Sequence, residues 1–543
     1  MIFDWKKRFL SNTSLLVFIF IVLLQLVIHV YLQVQPAAMA PHGYVVIPPN
    51  DELGYISVIR QTMHGPWTFT EPYTTRPTPE IVIFAPFILG GKIAGLFHID
   101  PVVMYSIIKI TGSIAASIAT YILILNLLPM NLRVLGLIFT FLVETGPDLA
   151  VMFTKPFTSW VAASPGIAIV ARQFGYPHTR WGEACALTLL IIFLTTRQKF
   201  SYKRIIAVIL LSIAGVLFLP SVMVVFSLAV YIPYAITDVI RRRDFRRIFP
   251  VIISLCVIGA AGLWTRHELM MGPPWNTFTD FERAWWTTSD VLKQYLQSAL
   301  LYLPWIAVYV IAGRRKIATA ESTPVPLLMA LWICIPVGII FIEHYLPWFF
   351  VANGRIAVDG TNIPFAVLAT LGAETLLRVL KNKRIVANGM IILFMSVSLF
   401  LSFQFVSNFL NAQNYTNDSE IYIPLDVWKG FQFLATVPSN SGILTRPTSG
   451  MSIPTFADVR SFVGPTASFL DYEDRLNLSW LFYSEKMTEG EAREFLKNND
   501  ISYVYFGPEE QLNHGSGSPL YPALLTSVYQ VPQVTIYKVL PIE

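Results

Sequence analysis

The sequence predicts a mainly α-helical, polytopic membrane protein that ends in a small extracytoplasmic α/β domain. Three observations predict it. Hydrophobic residues make up 54% of the 543 and charged residues only 13%, whereas about a quarter of an ordinary soluble protein is charged. Long apolar runs alternate with short basic clusters, as expected when lysine and arginine stay on the cytoplasmic side. After about residue 408 the long runs stop, and short strand-like and helical segments alternate, the pattern of a small α/β domain.

The first run, from about Ser14 to Val34, follows Lys6-Lys7-Arg8. Ala38-Met39-Ala40 resembles a signal-peptidase site, but the run exceeds the ~7–15 residues of a signal core. It reads as a retained anchor that starts inside. Basic clusters recur at Lys6 to Arg8, Arg133, Arg197 to Arg204, Arg241 to Arg247, Arg314 to Lys316 and Arg378 to Arg384. Placed in the cytoplasm, they put spans near 13–34, 101–128, 134–152, 182–196, 205–219, 221–239, 249–264, 296–312, 324–341, 362–380 and 385–407. That makes about eleven helices, with the N-terminus inside and the C-terminus outside. The expected domains are a transmembrane part, 1–407, carrying an outer loop, 35–100, and an extracytoplasmic part, 408–543.

Residues 80–97 are apolar enough to span, but they contain Pro86 and Gly90-Gly91. Crossing there would reverse every later loop, so an interfacial or re-entrant outer helix is expected, and another over 160–172. In the last part, 442–444, 501–506 and 534–539 read as strands. Thr488-Glu489-Gly490-Glu491 reads as a capping box that opens a helix.

The outer loop carries the chain's most suggestive chemistry. Asn50 follows two prolines and reads as a helix N-cap. Leu53, Ile56, Ile59 and Met63 then fall on one helical face. Asp51 and Glu52 occupy the first turn. Taken alone, they read equally well as acids that complement the helix dipole and as a catalytic pair. Glu144 and Asp148 close the third span, where a carboxylate is costly without a use or a partner. Such acids suit proton removal from an attacking hydroxyl. Arg76, Lys109 and Arg355 face the same predicted side; Lys109 lies inside an apolar helix, where it lines a cavity or snorkels. Arginine can clasp a phosphate with two parallel hydrogen bonds.

Other chemistries lack their motifs. Gly90-Gly91-Lys92-Ile93 misses the leading glycine and the hydroxyl residue of a P-loop. The sequence contains no dinucleotide fingerprint, HExxH or GxSxG. The basic clusters sit at the rims of spans, so topology explains them and nucleic acid is not an expected partner. Cys185, Cys256 and Cys334 fall in apolar segments and imply neither a disulfide framework nor zinc.

Asp51-Glu52-x-x-Tyr55, Ile59-Arg60, His64-Gly65-Pro66-Trp67 and Arg76-Pro77 before an apolar segment together resemble the first loop of GT-C glycosyltransferases. The likeness is to the bacterial branch related to protein mannosyltransferases and the lipid A aminoarabinose transferase. It implies transfer of a sugar from a polyprenyl-phosphate-linked donor to a glycan, lipid or protein hydroxyl on the outer face of the cell membrane. By that resemblance Asp51 is the leading catalytic acid, with Glu52 beside it and Glu144 or Asp148 as the second-loop acid. Arg76, Arg355 and Lys109 would bind donor phosphate. Gly54 stands where some relatives have arginine, three residues after the aspartate. Some members use a divalent metal and others none; no residue here decides which. Two rival readings are a flippase for a lipid-linked envelope precursor and a non-catalytic scaffold of the same fold.

Overall fold

A computed structural model describes residues 12–39, 42–46, 48, 50–143, 176–195, 201–242, 248–277, 288–312, 325–345, 362–413, 422–464, 471–512, 514 and 520–541. The chain is mostly helical with a small sheet region, as the sequence predicts. It divides into two compact units. One takes residues 1–32, 109–265 and 282–413; the other takes 33–108, 266–281 and 414–543.

The first unit is built from apolar helices that follow the predicted spans within a few residues. Asn12–Met39, Pro101–Leu127, Pro177–Thr195, Tyr202–Phe218, Phe249–Leu269, Val325–Tyr345, Asn362–Val379 and Arg384–Gln413 all form. Six helical stretches among the described residues are long and apolar enough to cross a membrane, by length and composition. Two spans depart from a plain α-helix. Pro220–Phe226 and Ile232–Arg242 are joined through a π-turn at Ser227–Tyr231. The predicted 296–312 span is divided into Thr288–Ala299 and Leu303–Ala312. Pro304 suits the start of the second piece, because a first-turn residue needs no N–H partner. At this break the Tyr302 hydroxyl donates to the carbonyls of Phe139 (3.1 Å) and Val143 (2.6 Å).

Side chains with no water to bind find partners inside this unit. Ser117 donates to Gln25 at 3.2 Å, and the Ser212 and Ser254 hydroxyls pair at 2.8 Å, all of them buried. Phe18 stacks on Tyr121 with ring centroids 4.4 Å apart. Cys185, Cys256 and Cys334 are free thiols.

The second unit joins residues of the loop 35–100 to the C-terminal segment. Strand β1 (Tyr44–Val46) pairs antiparallel with β2 (Tyr422–Pro424). A mixed sheet follows: β3 (Gly442–Leu444), β4 (Arg460–Ser461), β5 (Tyr503–Phe506), β6 (Leu525–Val531) and β7 (Val534–Val539), in the order β4-β3-β5-β7-β6. The first three strands are parallel, and β7 and β6 close the sheet antiparallel. The expected capping box opens the helix Glu489–Asn498, with the Thr488 side chain accepting from the Glu491 N–H.

Residues 80–97 contribute the helix Ala85–Phe97 to this second unit. Its 13 residues rise about 20 Å, short of a hydrocarbon core of about 30 Å. It packs on the helix Asn50–His64 at a crossing that glycines make possible. A Cβ on Gly91 would press into Thr62 and lie 2.6 Å from the Ile59 carbonyl oxygen, and one on Gly95 would press into the Met63 backbone. The predicted helix over 160–172 lies outside the described residues.

Candidate functional site

Asp51 and Glu52 stand in the first turn of the helix Asn50–His64. Leu53, Ile56 and Ile59 are fully buried, as their spacing predicts, and Met63 is partly buried. Leu53 enters the same apolar cluster as Ile423, Val427 and Phe431 from the C-terminal segment. Two hydrogen bonds fix the helix against Pro447–Phe456: Thr455 Oγ1 donates to the Leu53 carbonyl at 3.0 Å, and Arg60 Nε donates to the Thr455 carbonyl at 2.6 Å. One of these contacts lies two residues from Asp51. Glu52 stays partly exposed on the held turn.

The chain then doubles back along this helix. Gln61 clamps Thr70 by donating to its carbonyl and accepting from its N–H, both at 3.2 Å. Phe69 and Ile81 exchange backbone hydrogen bonds of 3.2 and 3.1 Å, closing a loop whose far end carries Arg76. Arg76 is exposed and pairs with Asp471 at 3.2 Å; Asp471 also holds Arg475 at 3.1 Å. Behind this chain of charges lies Glu71, which is buried. Burial pushes its carboxyl up to about 7, against the opposing pull of the Tyr73 N–H and the Arg475 charge. Nothing in its sequence surroundings, Thr70 before it and Pro72 after it, marks Glu71 for burial.

A cavity of about 710 Å³ opens beside the last turns of the helix, lined by Arg60, His64, Arg76, Glu80, Asp458 and Arg460 among others. Arg460 serves structure there: it donates to the carbonyls of Thr75 and Asn440 and pairs with Asp500 at 2.8 Å. The structure thus brings Arg76 together with Arg60 and His64. Glu52 is not among the lining residues, and the nine residues from Asp51 to Arg60 amount to about 14 Å of helical rise.

In the first unit, Lys109 lies partly buried on the helix Pro101–Leu127. One turn further on, Gly112 lets this helix approach Pro177–Thr195 so closely that a Cβ would meet the Trp181 ring at 2.8 Å and the Pro177 carbonyl at 3.3 Å. Close by in sequence, Arg180 and Glu183 form a buried ion pair at 2.5 Å. This pair was missed because the predicted span began at residue 182, which left Arg180 in a loop. The rarity of charges inside apolar helices would have found it. Glu144, Asp148 and Arg355 lie outside the described residues. Among the described residues, no three His, Cys, Asp or Glu side chains group closely enough to hold a metal ion.

No protein-family model matches this chain, and no curated protein does. Among solved structures it is similar to the oligosaccharyltransferase AglB of Archaeoglobus fulgidus in complex with an inhibitory peptide and a dolichol-phosphate. That match has 13% identity and a TM-score of 0.48, and covers 94% of this chain and 70% of that one. It is similar to ArnT from Cupriavidus metallidurans bound to undecaprenyl phosphate, at 11% identity and a TM-score of 0.49, covering 95% and 97%. It is also similar to the mycobacterial arabinofuranosyltransferase AftD, at 12% identity and a TM-score of 0.48, covering 91% of this chain and 40% of that one.

Proposed function

We propose that this chain is an integral-membrane glycosyltransferase that moves a sugar from a polyprenyl-phosphate-linked donor to an acceptor hydroxyl. In the proposed step, Asp51 takes the hydroxyl proton and the acceptor oxygen bonds to the anomeric carbon. The bond from that carbon to the phosphate oxygen breaks, and its electron pair leaves with the lipid phosphate. Attack opposite the leaving group inverts the anomeric configuration. Glu52, Glu144 and Asp148 are the further acids proposed for this site. Arg76, Arg355 and Lys109 are proposed to meet the phosphate charge, Arg76 by exchanging Asp471 for phosphate. Stabilising charge on the leaving group is the larger expected term in such a reaction.

One observation carries this reading. The two acids open a helix whose next apolar residues, Leu53, Ile56 and Ile59, are fully buried, so the first turn is held while Glu52 remains accessible. A base must be positioned before its pKa matters. The six apolar helical stretches support a membrane location, where a lipid-linked donor would be found.

The test incubates the purified full chain with a panel of radiolabelled polyprenyl-phosphate sugars, with and without lipid and glycan acceptors. Transfer, or slow hydrolysis of one donor, is the expected result. Movement of the donor across a vesicle bilayer without turnover would replace this reading with a flippase. Neither turnover nor movement with any donor would leave a scaffold.

A further inference from the structure

A second cavity, in the apolar unit, has a chemistry that the transferase reading leaves unused. It holds about 340 Å³ and is lined by Ala115, Ile118 and Ile122 of one helix, Ile191 and Ile192 of another, and Arg204 at the start of a third. From Ala115 to Ile122 the groove follows about 10 Å of helix. Most of the lining is apolar, with the hydroxyls of Thr188 and Thr195 as its neutral polar groups and Arg204 as its charged residue.

Arg204 is exposed and makes no ion pair with a described residue. Between Glu183 and Asp238 there is no carboxylate, while Arg197, Lys199, Lys203 and Arg204 fall within eight consecutive residues. A guanidinium at the end of an apolar groove between apolar helices complements a molecule with an anionic head and a hydrocarbon tail. A free phosphate would use the guanidinium and leave the groove empty. A zwitterionic lipid would fill the groove but bring its own cation toward Arg204.

We infer that this groove is a binding site for an anionic phospholipid, with one tail along Ala115, Ile118 and Ile122 and the phosphodiester on Arg204. The site does not depend on the transferase reading, since it involves none of the residues proposed for sugar transfer.

The test uses the purified, delipidated full chain in detergent, incubated with equimolar phosphatidylglycerol and phosphatidylcholine carrying identical acyl chains. Native mass spectrometry reads the bound adducts. The wild type is expected to retain phosphatidylglycerol several-fold over phosphatidylcholine, Arg204→Gln to bring that ratio close to one, and Arg204→Lys to restore most of it. Ala115→Trp, which fills the groove, should lower both adducts. Lys203→Gln, next to the groove but not lining it, should leave the ratio as in the wild type. An unchanged ratio in Arg204→Gln would overturn the inference. So would equal losses from Lys203→Gln and Arg204→Gln, which would mean diffuse surface charge, or full adducts in Ala115→Trp, which would mean that no tail lies in the groove. Competition by millimolar inorganic phosphate that removes the ratio would likewise overturn it in favour of a free-anion site. Unfolding midpoints of all variants are measured alongside, and Ala115→Trp decides the matter alone if Arg204→Gln does not fold.

Discussion

Glu71 is a carboxylate buried within reach of an arginine yet held near pH 7, because desolvation outweighs the charge and the hydrogen bond that favour its ionised form. Its folded pKa lies above the ordinary 4.5, so between those values the folded chain keeps a proton that the unfolded chain has released. Stability from this group is therefore complete below about pH 4.5 and is lost as pH rises through about 7. Glu510, also buried and also pushed to about 7, adds to the same trend. Between about pH 5 and pH 8 the thermal midpoint should fall, and Glu71→Gln should flatten the slope without reversing it. Melting curves in one detergent across that range check this; an unchanged slope in Glu71→Gln would remove Glu71 from the titration. The glycines at the crossing of the helices Asn50–His64 and Ala85–Phe97 give a second prediction. Gly91→Ala places a methyl group against the Ile59 carbonyl and Thr62, and overpacking of this kind costs about 1–3 kcal/mol, readable as a lower midpoint in chemical unfolding.

Among the elements, the loop from Thr68 to Ile81 depends on contacts that come from far along the chain. Arg460 donates to the Thr75 carbonyl while it holds Asn440 and Asp500. Arg460→Ala should therefore loosen the loop more than it unfolds the protein. Hydrogen exchange over residues 68–81 should rise while the helices of the apolar unit keep their protection; a uniform rise would assign Arg460 to global stability. The same contacts mark what the sequence could and could not tell. The apolar helices were legible because apolar runs are local patterns. So was the buried face of Leu53, Ile56 and Ile59, which follows from helical periodicity, and so was the capping box at Thr488. The partners of the candidate site were not legible. Thr455 meets Leu53 across 402 residues and Asp471 meets Arg76 across 395, and no pattern in either segment points to the other. Glu71 was hidden for a related reason: a glutamate among prolines and threonines reads as solvated until a distant domain covers it.

At the scale of the whole molecule, the chain combines an apolar helical unit with a second unit in which the loop bearing Leu53 and the C-terminal segment share one core. The C-terminal segment thus contributes to holding the helix that bears the acids, through Thr455 and the cluster around Leu53. Under the proposed function, this is how the segment would bear on turnover. Substitutions in Pro447–Phe456 should then lower turnover without touching substrate, and Thr455→Val, which keeps the shape and removes the hydrogen bond to Leu53, is the mildest of them. It should reduce turnover less than loss of the base itself, as donor turnover assays on the two variants would record. The most direct measurement is the turnover of a labelled polyprenyl-phosphate sugar by Asp51→Asn beside the wild type, with unfolding midpoints taken on the same preparations. The expected rate is lower by about 10²–10⁴ at an unchanged midpoint; a wild-type rate in Asp51→Asn would remove Asp51 from the chemistry.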